Sequence, residues 1–592
     1  MEKVTCQSCK HQFEITEKDR EFLELLKVPD PTFCPECRMI RRLVFRNDRS
    51  LYKRKCDLCQ KESVMQYPAD APFTVYCKSC WYGDGWDYKT YGRDYDFSKP
   101  FFTQLKELMS VVPRLGLIHQ KTNINSDYTN RIADSKNCYL VFSSTAPEDC
   151  RYSAWVNFSK NCQDCYATIK SERCYDCIDS TNCYQLVSSS ECVNCRDSWF
   201  LHNCQNVSNS FGCVNLRNKQ YCFFNEQLTK EEYESKLAEL NLKSAQEVAK
   251  LQEKFKEFKK QFIVPALVTR RSIDGTGNWL EDCKDATDSY NCQNNEHVRH
   301  CFSVFSGKDI MDHCQWAGGS ERTYECSSVG FQCSDVHFAF ECWTNLMDSE
   351  YVMGCMKSKD LFGCNGARDA QYCILNKQYS KEEYEQLTAK IKQHMNDIPY
   401  VDAAGRVYKY GEFFPTDLSP YAYNEALVQE FFPISKEEAQ TMRFPWRDEL
   451  QRDYKITIPA EAVPDVSTEV GDEILKEVIG CAHAGTCKHQ CTTAFRIVPE
   501  ELQMYRSAQI PIPNLCPNCR HFERLAQRTP MKLWPRSCQC AGPESEGGAH
   551  KNLSPHPHHD ASTHCPNTFE TSYSPDRPEK VYCLDCYQAE VA

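Results

Sequence analysis

Long apolar runs are missing from this sequence. Nowhere do eighteen uninterrupted apolar residues offer a candidate membrane span. The opening MEKVTCQSCK has no basic stretch followed by an apolar one, so no secretory leader is read there. Positive charge is in deficit: 70 Lys and Arg stand against 82 Asp and Glu, for a net charge of -12. That balance excludes a uniformly basic surface built to coat nucleic acid, although local basic patches stay open. Catalytic signatures are missing too, with no Walker loop, no G-x-G-x-x-G, no H-E-x-x-H and no G-x-S-x-G. Glycine is scarce, 22 in 592 residues, and the Gly- and Asp-rich turns of calcium-binding nonapeptide solenoids are absent.

Cysteine is what the chain has in abundance. Forty cysteines approach the density of disulfide scaffolds, but such scaffolds are short secreted domains. This chain is long enough for roughly four domains. The expectation is a reducing, cytoplasmic location, where glutathione and thioredoxin keep thiols reduced and cysteine pairs serve as metal ligands.

Self-comparison supplies the organisation. The segment from Cys9 to Cys56 recurs from Cys491 to Cys538 at a constant offset of 482, matching Phe13, Cys34, Pro35, Cys37, Arg38 and Arg42 to Phe495, Cys516, Pro517, Cys519, Arg520 and Arg524. Farther on, Cys59, Cys77 and Cys80 match Cys565, Cys583 and Cys586 at an offset of 506. The second copy therefore carries a 24-residue insertion around Ala541 to His564. Its Gly, Ser, Pro and His content reads as a flexible loop; His550, His556, His558, His559 and His564 could capture zinc or nickel, but they have no spacing that suits a helix face or a knuckle.

The duplication assigns sixteen cysteines to four sites. The first is Cys6, Cys9, Cys34 and Cys37; the second is Cys56, Cys59, Cys77 and Cys80. The third is expected at Cys487, Cys491, Cys516 and Cys519, with Cys481 or His483 as competitors, and the fourth at Cys538, Cys565, Cys583 and Cys586, with Cys540 as rival to Cys538. Two residues between cysteines let one turn supply two ligands, and four thiolates close the tetrahedron of a structural zinc. About four zinc ions are expected. Reduced core thiols or disulfides are the bland alternative.

The stretch VPDPTFCPECRMIRRLVFRNDRSLYKRKCDLC and the ending FETSYSPDRPEKVYCLDCY resemble those of a family of uncharacterised zinc-ribbon proteins frequent in candidate phyla radiation bacteria, over nearly the whole chain. The resemblance implies zinc binding and an intracellular location, and no activity.

The centre is a second duplication. FGCVNLRNKQYCFFNEQLTKEEYE, starting at Phe211, is echoed by FGCNGARDAQYCILNKQYSKEEYE, starting at Phe362. Cys138, Cys150, Cys162, Cys174, Cys183, Cys192, Cys204, Cys213 and Cys222 follow at steps of 12 or 9, and Cys283, Cys292 and Cys301, then Cys355, Cys364 and Cys373, at steps of 9. Two such steps suggest a β-solenoid coil of 18 to 24 residues. Inward cysteine ladders are the preferred reading. Metal or iron–sulfur binding through Cys162 and Cys165, Cys174 and Cys177, or Cys192 and Cys195 is the alternative. The fold class is thus α+β and multidomain: duplicated zinc-ribbon or treble-clef-like modules at 1–97 and 480–592 flank Cys-repeat halves at 130–227 and 275–377. A helical insertion lies at 229–262, and a helix and acidic linker at 380–477.

Asp84, Asp87, Asp94 and Asp96 are the most tempting acidic group, but they read as turn caps, with Trp81, Trp86, Tyr88 and Tyr91 covering the second zinc site. Arg38, Arg42, Arg46 and Arg49 fall at helical spacing with Arg41 beside them, extended by Lys53, Arg54 and Lys55; Arg520, Arg524 and Arg528 repeat a weaker version. An exposed arginine ridge would bind phosphates; the alternative is that these arginines form a solvated face or pair with the acidic linker. The leading expectation is a non-enzymatic, zinc-binding protein that binds nucleic acid, RNA before DNA, through this helix. A protein-interaction scaffold along the solenoid and a thiol redox protein using the central C-x-x-C pairs are the alternatives.

Overall fold

The computed structural model describes residues 2–120, 122–448, 454–540, 552, 554–560 and 563–591. It is an α+β multidomain protein in which cysteine-rich modules at both ends flank a two-part β-solenoid with helical insertions.

The solenoid is wound from a three-residue unit. In its first half the backbone turns at every third residue into the left-handed region, as at Asn161, Asp164, Ala167, Lys170, Arg173, Asp176, Asp179 and Asn182, with φ between 48 and 55°. Asn and Asp accept that conformation more readily than other side chains, so they recur at the corners. The residue after each corner points inward. Cys162, Cys165, Thr168, Ser171, Cys174, Cys177, Ser180 and Cys183 are all 3% exposed or less. Four such sides close one coil, and successive coils pair in parallel twelve residues apart, as in Tyr166 with Ile178 and Thr168 with Ser180.

The coil is therefore shorter than the expected 18 to 24 residues. A cysteine step of 12 stacks a thiol on the same wall of the next coil, and a step of 9 places it on the neighbouring wall; neither is half a turn. Between Lys308 and Met347 the coil widens to thirteen residues, with Lys308 opposite Glu321, then Ser334, then Met347. The bore is narrow, and Cys, Ser, Thr, Ala and Val predominate inside, with Leu or Ile at single inward positions such as Leu186, Leu201, Ile310 and Leu361.

Hydrogen bonding inside the bore is complete where the ladder is regular. Cys165 Sγ donates to the Gln163 carbonyl at 3.3 Å and lies 3.5 Å from the Cys174 carbonyl, while Ser153 Oγ accepts from the Cys165 amide at 3.0 Å. Buried polar groups need such partners.

Each half ends alike. A short antiparallel hairpin, Cys222–Phe223 with Glu226–Gln227 and Cys373–Ile374 with Lys377–Gln378, turns the ladder back. A helix follows with a capping box, Thr229 with Glu232 and Ser380 with Glu383. Capping boxes satisfy amides that a helix start leaves open, and the hairpin removes a sheet edge. Helices at Lys230–Ala238 and Ala245–Lys259 fill the insertion between the halves.

The region from Tyr400 onward differs from a linker. From Tyr400 to Phe444 it is a packed strap: Phe413, Phe414 and Val428 are wholly buried in the core shared with the N-terminal module. Proline and acidic composition masked these apolar anchors. Among the described residues no helix is long and apolar enough to cross a membrane.

Candidate metal centres

The two terminal modules repeat element by element. The hairpin Glu2–Thr5 with Gln12–Ile15, the helix Glu17–Leu26 and the helix Pro35–Leu43 correspond to Ile479–Gly480 with Ala494–Phe495, Pro499–Ala508 and Pro517–Leu525. Even the left-handed residues that end the first helices, Lys27 at φ 55° and Gln509 at φ 53°, correspond.

Each centre joins a knuckle to a helix start. In the first, the Cys6 amide donates to the His11 carbonyl at 2.9 Å and the Lys10 amide donates back to Cys6 at 3.0 Å, closing a tight turn that presents Cys6 and Cys9. Cys34 caps the Pro35–Leu43 helix and Cys37 lies in its first turn. The Cys34 amide donates to Cys6 Sγ at 3.3 Å. The second centre repeats this: Cys77 caps the Lys78–Tyr82 helix, which carries Cys80, and the Cys77 amide donates to Cys56 Sγ at 3.2 Å. Helix amino ends and backbone amides favour thiolate over thiol.

Spacing between sulfurs is what tests these groups as metal sites. Thiolates bound tetrahedrally at about 2.3 Å from an ion stand roughly 3.8 Å apart, whereas a disulfide would bring them to about 2.05 Å. Cys9 and Cys34 are 3.7 Å apart, Cys59 and Cys77 3.8 Å, Cys481 and Cys519 3.8 Å, and Cys565 and Cys583 3.8 Å. Cys6, Cys9, Cys34 and Cys37; Cys56, Cys59, Cys77 and Cys80; Cys481, Cys491, Cys516 and Cys519; and Cys538, Cys565, Cys583 and Cys586 each bring their ligand atoms within 4.8 Å of one another. These groups can each hold a metal ion, and four thiolates leave no position for water or substrate. All forty cysteines are unbridged.

No protein-family model and no curated protein matches the chain. Among solved structures it shows a slight likeness to a "putative acetyltransferase" from Desulfovibrio desulfuricans G20, at 10% identity over 49% of this chain and 74% of that one, with a TM-score of 0.09. That overlap bears on neither fold nor function. The residues themselves must carry the argument.

They require a correction at the third centre. The first cysteine of its four-cysteine group is Cys481, not Cys487. Ile479 pairs with Phe495 as Val4 pairs with Phe13, which puts Cys481 in the place of Cys6. The Cys516 amide donates to Cys481 Sγ at 3.2 Å, as Cys34 does to Cys6. Cys487 instead approaches Cys519 from outside, at 3.6 Å, together with His483 and His489. Matching by the nearest C-x-x-x-C favoured Cys487 because an enlarged knuckle loop had displaced the true counterpart.

The histidine-rich insertion is a second correction. His550 lies outside the described residues, but the segment 554–560 turns onto the fourth centre. His558 Nε2 is 2.9 Å from Cys565 Sγ and His559 Nε2 is 3.2 Å from Cys586 Sγ, while His556 Nε2 is 3.0 Å from Glu590 Oε1. His564 Nδ1 lies 3.4 Å from the Cys540 carbonyl. Cys540 Sγ accepts from the Cys565 amide at 2.9 Å and stands outside the four-cysteine group.

The arginine ridge is the third correction. Its helix forms over Pro35–Leu43 and stops there, so Arg46 and Arg49 follow it in a turn. Both faces of the helix are covered. Met39 and Leu43 enter the module core, while Arg38, Arg41 and Arg42 are at most 2% exposed against the solenoid's second half. Arg38 Nε lies 2.8 Å from Asp312, Arg41 pairs with Glu325 and, at 2.7 Å, with Glu412, and Arg46 Nη1 donates to Ser328 Oγ at 2.6 Å. Arg49 Nε stands 3.9 Å from Glu430, and Arg54 pairs with Asp57 at 2.9 Å, which leaves Lys53 and Lys55 exposed.

The second copy docks on the first half in the same manner. Arg520 and Arg524 grip Asp164 at 2.5 and 2.9 Å, and Arg528 meets Asp179 at 2.8 Å. Net charge and helical spacing could not distinguish an exposed ridge from a buried one. The solenoid carboxylates that absorb it are distant in the sequence: Asp312 lies 274 residues from Arg38 and Glu325 283 from Arg42.

Smaller expectations hold in part: Asp94 pairs instead with Lys377 and Tyr379, and Tyr88 packs among the cysteines that end the solenoid's second half. Asp87 accepts from the Lys89 amide and Asp96 from the Ser98 amide, both at 2.9 Å, as turn caps. Trp81 is buried beside the second centre, with the Arg368 guanidinium 3.8 Å over its ring. The central C-x-x-C pairs Cys162 and Cys165, Cys174 and Cys177, and Cys192 and Cys195 are all 1% exposed or less, inside the bore.

Proposed function

We propose that the protein is a non-enzymatic zinc protein of the reducing cytoplasm, in keeping with the zinc-ribbon family it resembles, and that it works as an interaction scaffold. Four structural zinc ions hold the terminal modules in shape, and the modules strap the solenoid halves. The observation that carries this reading is the use of the arginines. Arg38, Arg41, Arg42, Arg520, Arg524 and Arg528, which could have faced phosphate, are bound to carboxylates of the solenoid, so the zinc modules act on the protein's own architecture.

The surface left for a partner lies between the halves. A cleft of about 920 Å³ is lined by Trp155, Phe158, Asn182 and Asn194 from one half and by Gln293, Phe305 and Trp316 from the other. Aromatic and amide side chains suit the backbone and side chains of an extended peptide. Arg271 in the lining is paired with Glu281 and Asp282, while Lys170 and Arg270 add positive charge to the same cleft. Single-stranded RNA is the second reading. It is favoured by Phe158, 59% exposed, with Lys170 on the same cleft wall, since a base can stack on an aromatic beside a cation.

A photo-crosslinking residue at Phe158 tests both. A protein adduct that Trp316→Ala abolishes supports the scaffold. RNA in the adduct, with affinity falling steeply as salt rises from about 50 mM, moves the second reading to first place. No adduct from Phe158, where an outer-wall control position gives its usual background, defeats the cleft as the working surface.

A further inference from the structure

We propose that a second metal ion sits beside the third centre, held by His483, Cys487, His489 and a shared Cys519, so that Cys519 bridges two ions. The proposal rests on the zinc reading above and adds a site to it.

Its origin is the enlarged knuckle. Ten positions separate Cys481 from Cys491, where three separate Cys6 from Cys9. The N-terminal knuckle holds only Gln7 and Ser8 between its cysteines, whereas the enlarged one carries His483, Cys487 and His489. All three return to the centre: one ligand atom from each, together with Cys519 Sγ, lies within 4.8 Å of the others. Cys487 Sγ stands 3.6 Å from Cys519 Sγ, close to a tetrahedral edge and far from disulfide distance.

The imidazoles are the second, independent observation. Nδ1 of His483 and Nδ1 of His489 are both buried and have no hydrogen-bond partner among the described residues. Buried polar atoms without partners are rare and costly, and a cation satisfies both at once. Each ring is also held in place. His483 Nε2 lies 3.3 Å from Glu523 Oε1, the carboxylate–histidine arrangement that fixes a metal-binding tautomer with the opposite nitrogen free. The His489 ring stacks on Phe522 at 5.9 Å and 9°.

Two thiolates and two imidazoles in a tetrahedral array select zinc among common divalent ions. Electrostatics favour the pair of ions as well. Four thiolates on one divalent ion leave excess negative charge, and a second cation that shares Cys519 and adds only Cys487 reduces it.

The test counts zinc on the intact chain by native mass spectrometry and compares variants with the parent, so that ions elsewhere cancel. H483A/H489A should carry one zinc fewer, and so should Cys487→Ser; Cys491→Ser, which damages the four-cysteine group, should lose at least one. Cadmium-113 spectra of the substituted protein should show two resonances split by coupling through Cys519, with one lost and the other unsplit in H483A/H489A. A parental zinc count in H483A/H489A with no coupled pair overturns the bridged site and leaves the four-cysteine centre intact. A parental count in Cys491→Ser as well means that the zinc reading of that centre has failed instead.

Discussion

Arg42 Nη1 lies 2.9 Å from Glu325 Oε2 and 2.9 Å from Asp312 Oδ1, and none of the three side chains is more than 1% exposed. Burial opposes the charge on Arg42, and the nearby Asp312, Cys314 and Glu325 outweigh it, holding the guanidinium well above its usual range. The contact joins the N-terminal four-cysteine module to the solenoid half farther from it in sequence. It converts an apparent phosphate-binding ridge into an internal fastener.

Removing one partner from such a group leaves charge buried without compensation, at a cost of about 3–5 kcal/mol. Arg42→Met should therefore lower the unfolding temperature of the full chain substantially. Arg42→Met with Glu325→Leu should recover part of the loss, because a buried pair replaced by apolar groups is often tolerated. Zinc on Cys6, Cys9, Cys34 and Cys37 should be retained in both. Equal stability of Arg42→Met and the parent would show that the contact fastens nothing.

Closed zinc sites carry folding free energy, on the order of 10–16 kcal/mol in small zinc domains at neutral pH. Cys37→Ser should lose one zinc ion and expose the segment 1–97 to protease, with the solenoid ladder from His119 onward still resistant. Full zinc content and a parental digestion pattern would remove Cys37 from the ligand set.

The interior walls predict an asymmetry in substitution. Cys177 Sγ donates to the Tyr175 carbonyl at 3.4 Å and lies 3.5 Å from the Leu186 carbonyl, and Ser180 Oγ makes the same kind of bond to the Ile178 carbonyl at 2.9 Å. Cys177→Ser should thus cost no more than about 1 kcal/mol. Cys177→Leu should cost more, about 1–3 kcal/mol, because an added branch has no room in a full bore. Urea unfolding of the two variants gives the comparison. A Leu variant as stable as the Ser variant would mean the bore is loosely packed.

How much of this was legible in the sequence follows from the range of each interaction. The duplicated modules, three of the four centres and the inward cysteines rest on short-range spacing, which the sequence displays directly. The coil length was misread because steps of 9 and 12 fit more than one polygon, and only the left-handed corners at every third residue, such as Asn161 and Asp164, decide among them. Cys481 was misplaced because strand pairing, Ile479 with Phe495, and not cysteine spacing sets its register. Arg38, Arg41 and Arg42 were correctly placed on a helix, yet the sequence around them is silent about Asp312 and Glu325, which arrive only when the solenoid folds.

Alkali should unfold the solenoid by way of its thiols. Burial pushes Cys213 up to about 12 and Cys373 up to about 11, from the ordinary value of 9.0 that the unfolded chain regains. Between pH 9 and 11 the unfolded chain releases thiol protons that the folded chain keeps. The unfolded state then binds fewer protons, so stability is full below pH 9 and declines as pH rises through the window. Each unit of difference in pKa is worth about 1.4 kcal/mol per thiol at most. Cys213→Ser with Cys373→Ser removes two of these groups, since a serine hydroxyl does not titrate there. Urea unfolding at pH 8 and at pH 10.5 should show a smaller loss for this variant than for the parent, with little difference between them at pH 8. Identical losses would assign the alkaline decline to groups other than the buried cysteines.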